Sequence, residues 1–354
     1  MMRRVAFALC FVACGGGASA PKDPSGPASS EASAAPEAPR KPPAGPPTAL
    51  DCGDFTTCAI ASGGEARCWG RDKTGELGDG GGNDRPRDVG IPGLGKVTAI
   101  AMASQFGCAL GDDKKVSCWG TGMIANDGKK VDKAKATPVA GVDGALELVA
   151  SGVIACARTA SGVTCWGSAA STIGEAPKGT FKQVAAGFTH ACALDEKGAP
   201  LCWGTGDWGP KGAYAKPAGL AGASYIATGD RHACVVGKDK KVWCWGQNDA
   251  GQLGTKSDTN AHPKPTPVPG IANAVKLAAG EASMCALMAD GTAKCWGEKV
   301  ATGVTSDLAD ICIATQHACA LTKSSSIRCW GENAHGQLGD GSKEKHSEPV
   351  TVDW

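Results

Sequence analysis

The tripeptide Cys-Trp-Gly occurs seven times, with its tryptophan at Trp69, Trp119, Trp166, Trp203, Trp245, Trp296 and Trp330. Each copy has a cysteine upstream: Cys58 before Cys68, Cys108 before Cys118, Cys156 before Cys165, Cys192 before Cys202, Cys234 before Cys244, Cys285 before Cys295, and Cys319 before Cys329. Six of these pairs are ten residues apart and one, Cys156 with Cys165, is nine. A unit returning at this regularity means a repeat architecture, in which each copy is one supersecondary element that needs its neighbours to bury a face.

The segments between paired cysteines are apolar residues running into a glycine-containing turn, as in Ala59-Ile60-Ala61-Ser62-Gly63-Gly64 and Ala286-Leu287-Met288-Ala289-Asp290-Gly291. That is the grammar of a β-hairpin. Cysteines facing each other across an antiparallel pair stand about 4.5 Å apart at Cα, within reach of a disulfide. Each pair is therefore expected to staple two strands of one unit. A loop of about eleven residues gives at most roughly 3 kcal/mol in the chain-entropy model, and a preformed hairpin realises less. The tryptophan, one residue on, points to the other face of its strand and is expected to pack against the adjoining unit.

First cysteines follow one another at intervals of 50, 48, 36, 42, 51 and 34 residues, so the hairpin is constant and the connecting segments vary. Some of these segments contain Gly75-Glu76-Leu77-Gly78-Asp79-Gly80, Gly251-Gln252-Leu253-Gly254 or Gly336-Gln337-Leu338-Gly339-Asp340-Gly341. The stretch from Trp330 to Gly341, preceded by Gln316-His317-Ala318-Cys319-Ala320-Leu321, resembles the repeat of the regulator of chromosome condensation family. The resemblance implies an all-β, seven-bladed propeller over residues 49–354. It is most specific in repeats one, five and seven; the other four keep only the cysteine hairpin. The elements Thr137-Pro138-Val139 and Thr266-Pro267-Val268 precede a following blade, and Glu348-Pro349-Val350 has none after it. This last element is expected to lie beside the strand around Leu50 and so close the ring.

Cys52 and Cys312 lie outside the hairpins, six and seven residues before the first cysteines of repeats one and seven. On equivalent strands that difference puts them on opposite faces. Blades one and seven are neighbours in a closed ring, so a Cys52–Cys312 clasp is expected, provided the strands converge near the axis to within about 7 Å at Cα. Of 18 cysteines, Cys10 falls in the leader and Cys14 is read as lipidated, leaving sixteen to form eight bridges. Such usage belongs to an oxidising compartment.

The N-terminus agrees with export. Arg3 and Arg4 precede the apolar run Val5 to Ala13, too short to span a bilayer permanently. Phe11-Val12-Ala13-Cys14 resembles a bacterial lipobox, which makes 1–14 a signal peptide ending at the lipidation site Cys14. Residues 15–48 are mostly Pro, Ala, Gly and Ser and read as a disordered tether able to reach up to roughly 100 Å. The expected location is the outer envelope or the extracellular space, with membrane contact only through the lipid on Cys14.

A net charge of +1 gives no global field to attract nucleic acid, so no nucleic-acid partner is expected, and Lys129, Lys130, Lys133 and Lys135 read as solvated loop. No Cys-x-x-Cys or Cys/His cluster of ligand spacing appears, and Asp79 and Asp84 lack the calcium-loop frame, so neither metal nor cofactor is expected. His190, His232 and His317, each two residues before a first cysteine, are read as hydrogen-bonded structural residues. No catalytic residues can be named from motifs. Trp243 is read as core, and Trp208 and Tyr214 as partner-binding anchors in the variable segment after repeat four.

These observations favour a monomeric, exported propeller that binds a protein or glycan through the loops of one face, rather than an enzyme. Eukaryotic members of the resembled family act on a small nuclear GTPase and chromatin, partners that an exported, disulfide-dense chain does not meet. A secreted β-lactamase-inhibitor propeller of bacteria is similar in repeat type, which makes inhibition of an enzyme one alternative. A lyase or glycosidase with acids converging on a central pocket is another.

Overall fold

The computed structural model describes residues 41–121, 135–205, 217, 219–298 and 306–354. Cys14, Lys129, Lys130, Lys133, Trp208 and Tyr214 lie outside the described residues. No helix among the described residues is long and apolar enough to cross a membrane.

Seven antiparallel sheets follow one another along the chain, each built from consecutive strands. Their innermost strands are Pro47–Gly53, Val97–Met102, Glu147–Ser151, Phe181–Ala186, Tyr225–Thr228, Ala274–Ala279 and Leu308–Ile313. Sheets one, two, five and seven have four strands, and three, four and six have three among the described residues. The chain is an all-β seven-bladed propeller, with one short helix among the described residues, Ala170–Ile173.

Every hairpin pairs its two cysteines directly opposite each other, for example Cys58 with Cys68 and Cys156 with Cys165. All seven within-blade disulfides are formed. Glycine follows each tryptophan because the chain leaves the strand there with φ between +94° at Gly297 and +119° at Gly167, a region that side chains disfavour. A Cβ on Gly70 would stand 2.3 Å from the Phe55 carbonyl oxygen.

The tryptophans pack backwards along the chain. Trp69 joins Leu321, Ile327 and Leu338 of blade seven, Trp119 joins Ile60 and Leu77 of blade one, and Trp203 joins Ile154 and Ile173 of blade three. Burying one such ring contributes roughly 4–6 kcal/mol by area. Where the preceding blade carries a Gly-x-Leu-Gly loop, that loop also supplies an acceptor. Trp119 Nε1 donates to the Glu76 carbonyl at 2.8 Å, Trp296 Nε1 to Gln252 at 2.9 Å, and Trp69 Nε1 to Gln337 at 3.0 Å. The loops hold their own shape through Asp72, Asn248 and Asn333, whose side-chain oxygens accept the amides of Leu77, Leu253 and Leu338. The indole N–H groups of Trp166, Trp203 and Trp245 are buried without an acceptor among the described residues.

Ring closure differs from the expectation drawn from Glu348-Pro349-Val350. The strand His346–Thr351 pairs with Ile327–Gly331 of its own blade, and among the described residues Pro47–Gly53 pairs only with Thr56–Ala61. Thr137-Pro138-Val139 and Thr266-Pro267 likewise belong to outermost strands, those of blades two and five. Such elements complete their own blade, so the last one has no strand to lend. Blades seven and one meet instead through side chains and a backbone bond, from the Gly341 amide to the Pro86 carbonyl at 2.9 Å. Cys52 and Cys312 are disulfide-bonded with Cα atoms 5.6 Å apart, near the axis. His335 Nδ1 lies 2.7 Å from Asp84, Thr315 Oγ1 donates to Asp54 at 2.9 Å, and Trp354 packs edge-on against Trp69. Asp84 is therefore a seam residue, and Asp79 is paired with Arg85.

Candidate functional site: the axial cavity

The seven innermost strands surround a cavity of about 370 Å³. Side chains alternate along each strand, and the odd positions, counted back from each first cysteine, turn toward the following blade. Position seven holds Asp51, Ala101, Val149, Ala185, Ala227, Ala278 and Cys312; each faces its blade's first cysteine across the ladder. Small residues here let neighbouring strands approach. Position nine holds Ala49, Ala99, Glu147, Gln183, Tyr225, Lys276 and Asp310, a polar arc over five successive blades.

Most of these polar groups reach across to the next blade. Glu147 accepts from the Val184 amide at 3.1 Å and from Arg158 Nε at 2.9 Å. Gln183 clasps the Ile226 backbone, donating to its carbonyl at 3.1 Å and accepting from its amide at 2.9 Å. Lys276 Nζ lies 2.5 Å from Asp310, and Asp51 accepts the Met102 amide at 2.7 Å. One end of the cavity adds Asp54, Asp230 and Glu281, from the turns that leave the innermost strands. Phe188, 40% exposed, stands on the corresponding turn of blade four.

Six carboxylates, Asp51, Asp54, Glu147, Asp230, Glu281 and Asp310, thus line the cavity with one lysine. Burial pushes Asp51 up to about 7, against the hydrogen bond from Met102 and the charge of Lys276. Asp230 rises to about 7, through burial first and then the nearby charges of Glu281 and Asp54. Burial also raises Glu147, against its bonds from Arg158. Lys276 is lowered by burial but raised more by Asp310, Tyr225 and Asp51, and stays a firm cation. The arrangement can hold a positive group. It also places carboxyls able to exchange a proton near neutral pH.

His190, His232 and His317 are fully enclosed, and burial lowers them to about 3, 4 and 4. They are neutral seam residues: His317 Nε2 lies 2.8 Å from Thr57 Oγ1 of the next blade. Trp243 packs partly buried against the core between blades four and five. The described His/Cys group of ligand spacing, Cys52 with His317 and Cys319, has both sulfurs in disulfides. The motifs do not single out the position-nine ring. Counting back nine residues from each first cysteine would have found it.

Comparisons with known proteins agree with this architecture. Models of the regulator of chromosome condensation (RCC1) repeat match residues 48–76, 224–252 and 314–337, which fall in blades one, five and seven, and residues 239–287. No curated protein matches the chain in sequence. Among solved structures, human WBSCR16 superposes with a TM-score of 0.70 at 20% identity, covering 82% of this chain and 94% of that one. Prp20p of Saccharomyces cerevisiae, described with its binding to Gsp1p and histones, gives 0.69 at 19% identity, covering 88% and 87%. The CRINKLY ectodomain of the Arabidopsis thaliana receptor kinase ACR4 gives 0.59 at 20% identity, covering 85% and 100%. At these identities the likeness is one of fold. The chain is a seven-bladed propeller that carries sequences matching the regulator of chromosome condensation repeat in blades one, five and seven and from blade five into blade six.

Proposed function

We propose that this chain is an exported binding protein whose acidic axial mouth receives a positively charged segment of a macromolecular partner. In this reading Cys14 carries the lipid, and the tether is shorter than residues 15–48, since Ala44 and Pro46 already bond to blade one and Pro47 begins its first strand; Trp208 and Tyr214 add contacts from the segment after blade four. The observation that carries it is the acidic end of the cavity, where Asp54, Asp230 and Glu281 come together, on a chain whose overall charge is only +1. Focused negative potential in a concave site attracts cations and speeds their arrival. The fully buried staples of most blades and the side-chain ties between blades support a rigid platform, which lowers the ordering cost of binding. Protein binding by Prp20p is consistent with such a platform.

The test is capture of envelope proteins by the mature chain and by a D54N/D230N/E281Q variant, followed by binding curves for the captured protein at low and high salt. Affinity that falls with salt, and falls at least about tenfold in the variant, supports the proposal. Equal binding by both chains sinks it.

A second reading, a lyase or glycosidase, is favoured by one observation: Asp51 and Asp230 both lie near 7, where a carboxyl serves as acid or base at neutral pH. Turnover of envelope glycans that is lost in Asp51→Asn and Asp230→Asn would decide for it.

A further inference from the structure

We propose that the Cys52–Cys312 disulfide is a thiol-operated latch, opened from the axial cavity, that controls the seam between blades one and seven. Its setting differs from that of the staples. It joins residues 260 apart, whereas the staples span nine or ten. Both of its cysteines line the cavity, and Cys52 is half-buried. In blades one, two, four, five and seven both staple cysteines are completely buried.

Topology adds a second reason. A staple joins two strands that are already paired by a ladder, so its sulfurs stay opposite each other and re-form the bond after reduction. Cys52 and Cys312 sit on strands of different sheets, with no ladder between them. Their reduction therefore removes the covalent tie between the two blades, and hydrogen bonds and packing, among them the Gly341 amide to the Pro86 carbonyl at 2.9 Å, alone hold them.

The chemistry needs a small thiol, RSH, that fits a cavity of about 370 Å³. Its thiolate attacks the sulfur of Cys52, the less buried of the two residues, forming a mixed disulfide as the Cys52–Cys312 bond breaks and Cys312 leaves as thiolate. A second thiolate attacks the sulfur of the bound R group, releasing RSSR and the Cys52 thiolate, and protons from solvent complete two thiols. Access and the thiolate fraction of the attacker set the rate.

The experiment titrates the intact oxidised protein with reduced glutathione and traps free thiols with one isotopic label. All remaining cysteines are then reduced and given a second label, and peptide masses are read. Cys52 and Cys312 are expected to react at a thiol concentration at least about tenfold below that needed for Cys58, Cys68, Cys192, Cys202, Cys319 and Cys329. Hydrogen exchange at the same point is expected to rise in Pro47–Gly53 and Leu308–Ile313 while Phe181–Ala186 stays protected. Reduction of any of those six buried cysteines at or below the concentration that frees Cys52 overturns the proposal. So does unchanged exchange at the seam once Cys52 and Cys312 are free. Because the wild-type chain is reduced in place, the outcome does not depend on a cysteine variant folding.

Discussion

Trp69 of the first blade donates its indole N–H to the Gln337 carbonyl of the last, 3.0 Å away and 268 residues along the chain. The same carbonyl accepts the Thr57 hydroxyl at 3.0 Å. With its proton engaged there, Thr57 Oγ1 is left to accept from His317 Nε2, which fixes the imidazole in its Nε2–H form. One backbone carbonyl in a Gly-x-Leu-Gly loop thus gathers three side chains of the seam.

Replacing Thr57 by valine keeps the shape but leaves a buried imidazole N–H without its acceptor. A loss of about 1–3 kcal/mol is expected. Denaturant unfolding of T57V beside wild type measures it; a difference under about 0.5 kcal/mol would show the network to be unimportant.

The tryptophans offer an internal control. Trp119→Phe and Trp203→Phe remove similar volumes from similar interfaces, but Trp119 has an acceptor in the Glu76 carbonyl and Trp203 has none among the described residues. W119F is expected to be less stable than W203F by about 1–2 kcal/mol. Thermal unfolding of the two variants side by side gives the comparison, and equal losses would count against it.

The buried histidines predict acid sensitivity. His190, His232 and His317 have folded values of about 3, 4 and 4, below the ordinary 6.5. Below pH 6.5 the unfolded chain takes up protons that the folded chain refuses. Their contribution is whole above 6.5 and declines as pH falls toward 4. The slope of stability against pH over 4–6.5 should therefore become less positive in His232→Gln. An unchanged slope would mean that this residue does not titrate differently in the two states.

Asp51 works in the opposite sense. Its folded value of about 7 lies above the ordinary 3.8, so the folded chain holds a proton that the unfolded chain releases, and stability falls as pH rises from 3.8 through 7. Asp51→Asn removes that cost and keeps an oxygen for the Met102 amide. The variant is expected to match wild type at pH 4 and to exceed it at pH 8 by on the order of 2 kcal/mol, allowing for water in the cavity. Lower stability than wild type at pH 8 would contradict the assignment.

The repeat and the hairpins were legible in sequence because a disulfide demands two cysteines in register, and register leaves a fixed spacing. Opposite facing of Cys52 and Cys312 was legible for the same reason, since one residue of offset flips a side chain across its strand. Closure was not. Glu348-Pro349-Val350 resembles its counterparts in the middle of the chain, and nothing in a local pattern says whether a strand pairs forward or back. The cavity was hidden differently. Each blade contributes one residue at position nine, so Glu147, Gln183, Tyr225, Lys276 and Asp310 form no motif and become neighbours only when the ring closes.

Because each sheet is finished by its own consecutive strands, the boundary between blades seven and one has no privileged topology. A chain cut between any two blades and rejoined at its present ends would keep every ladder intact. In-frame duplication or loss of one whole blade would likewise leave all remaining sheets complete. A protein organised this way can change its number of sectors, and with it the width of its axial opening, in a single genetic step.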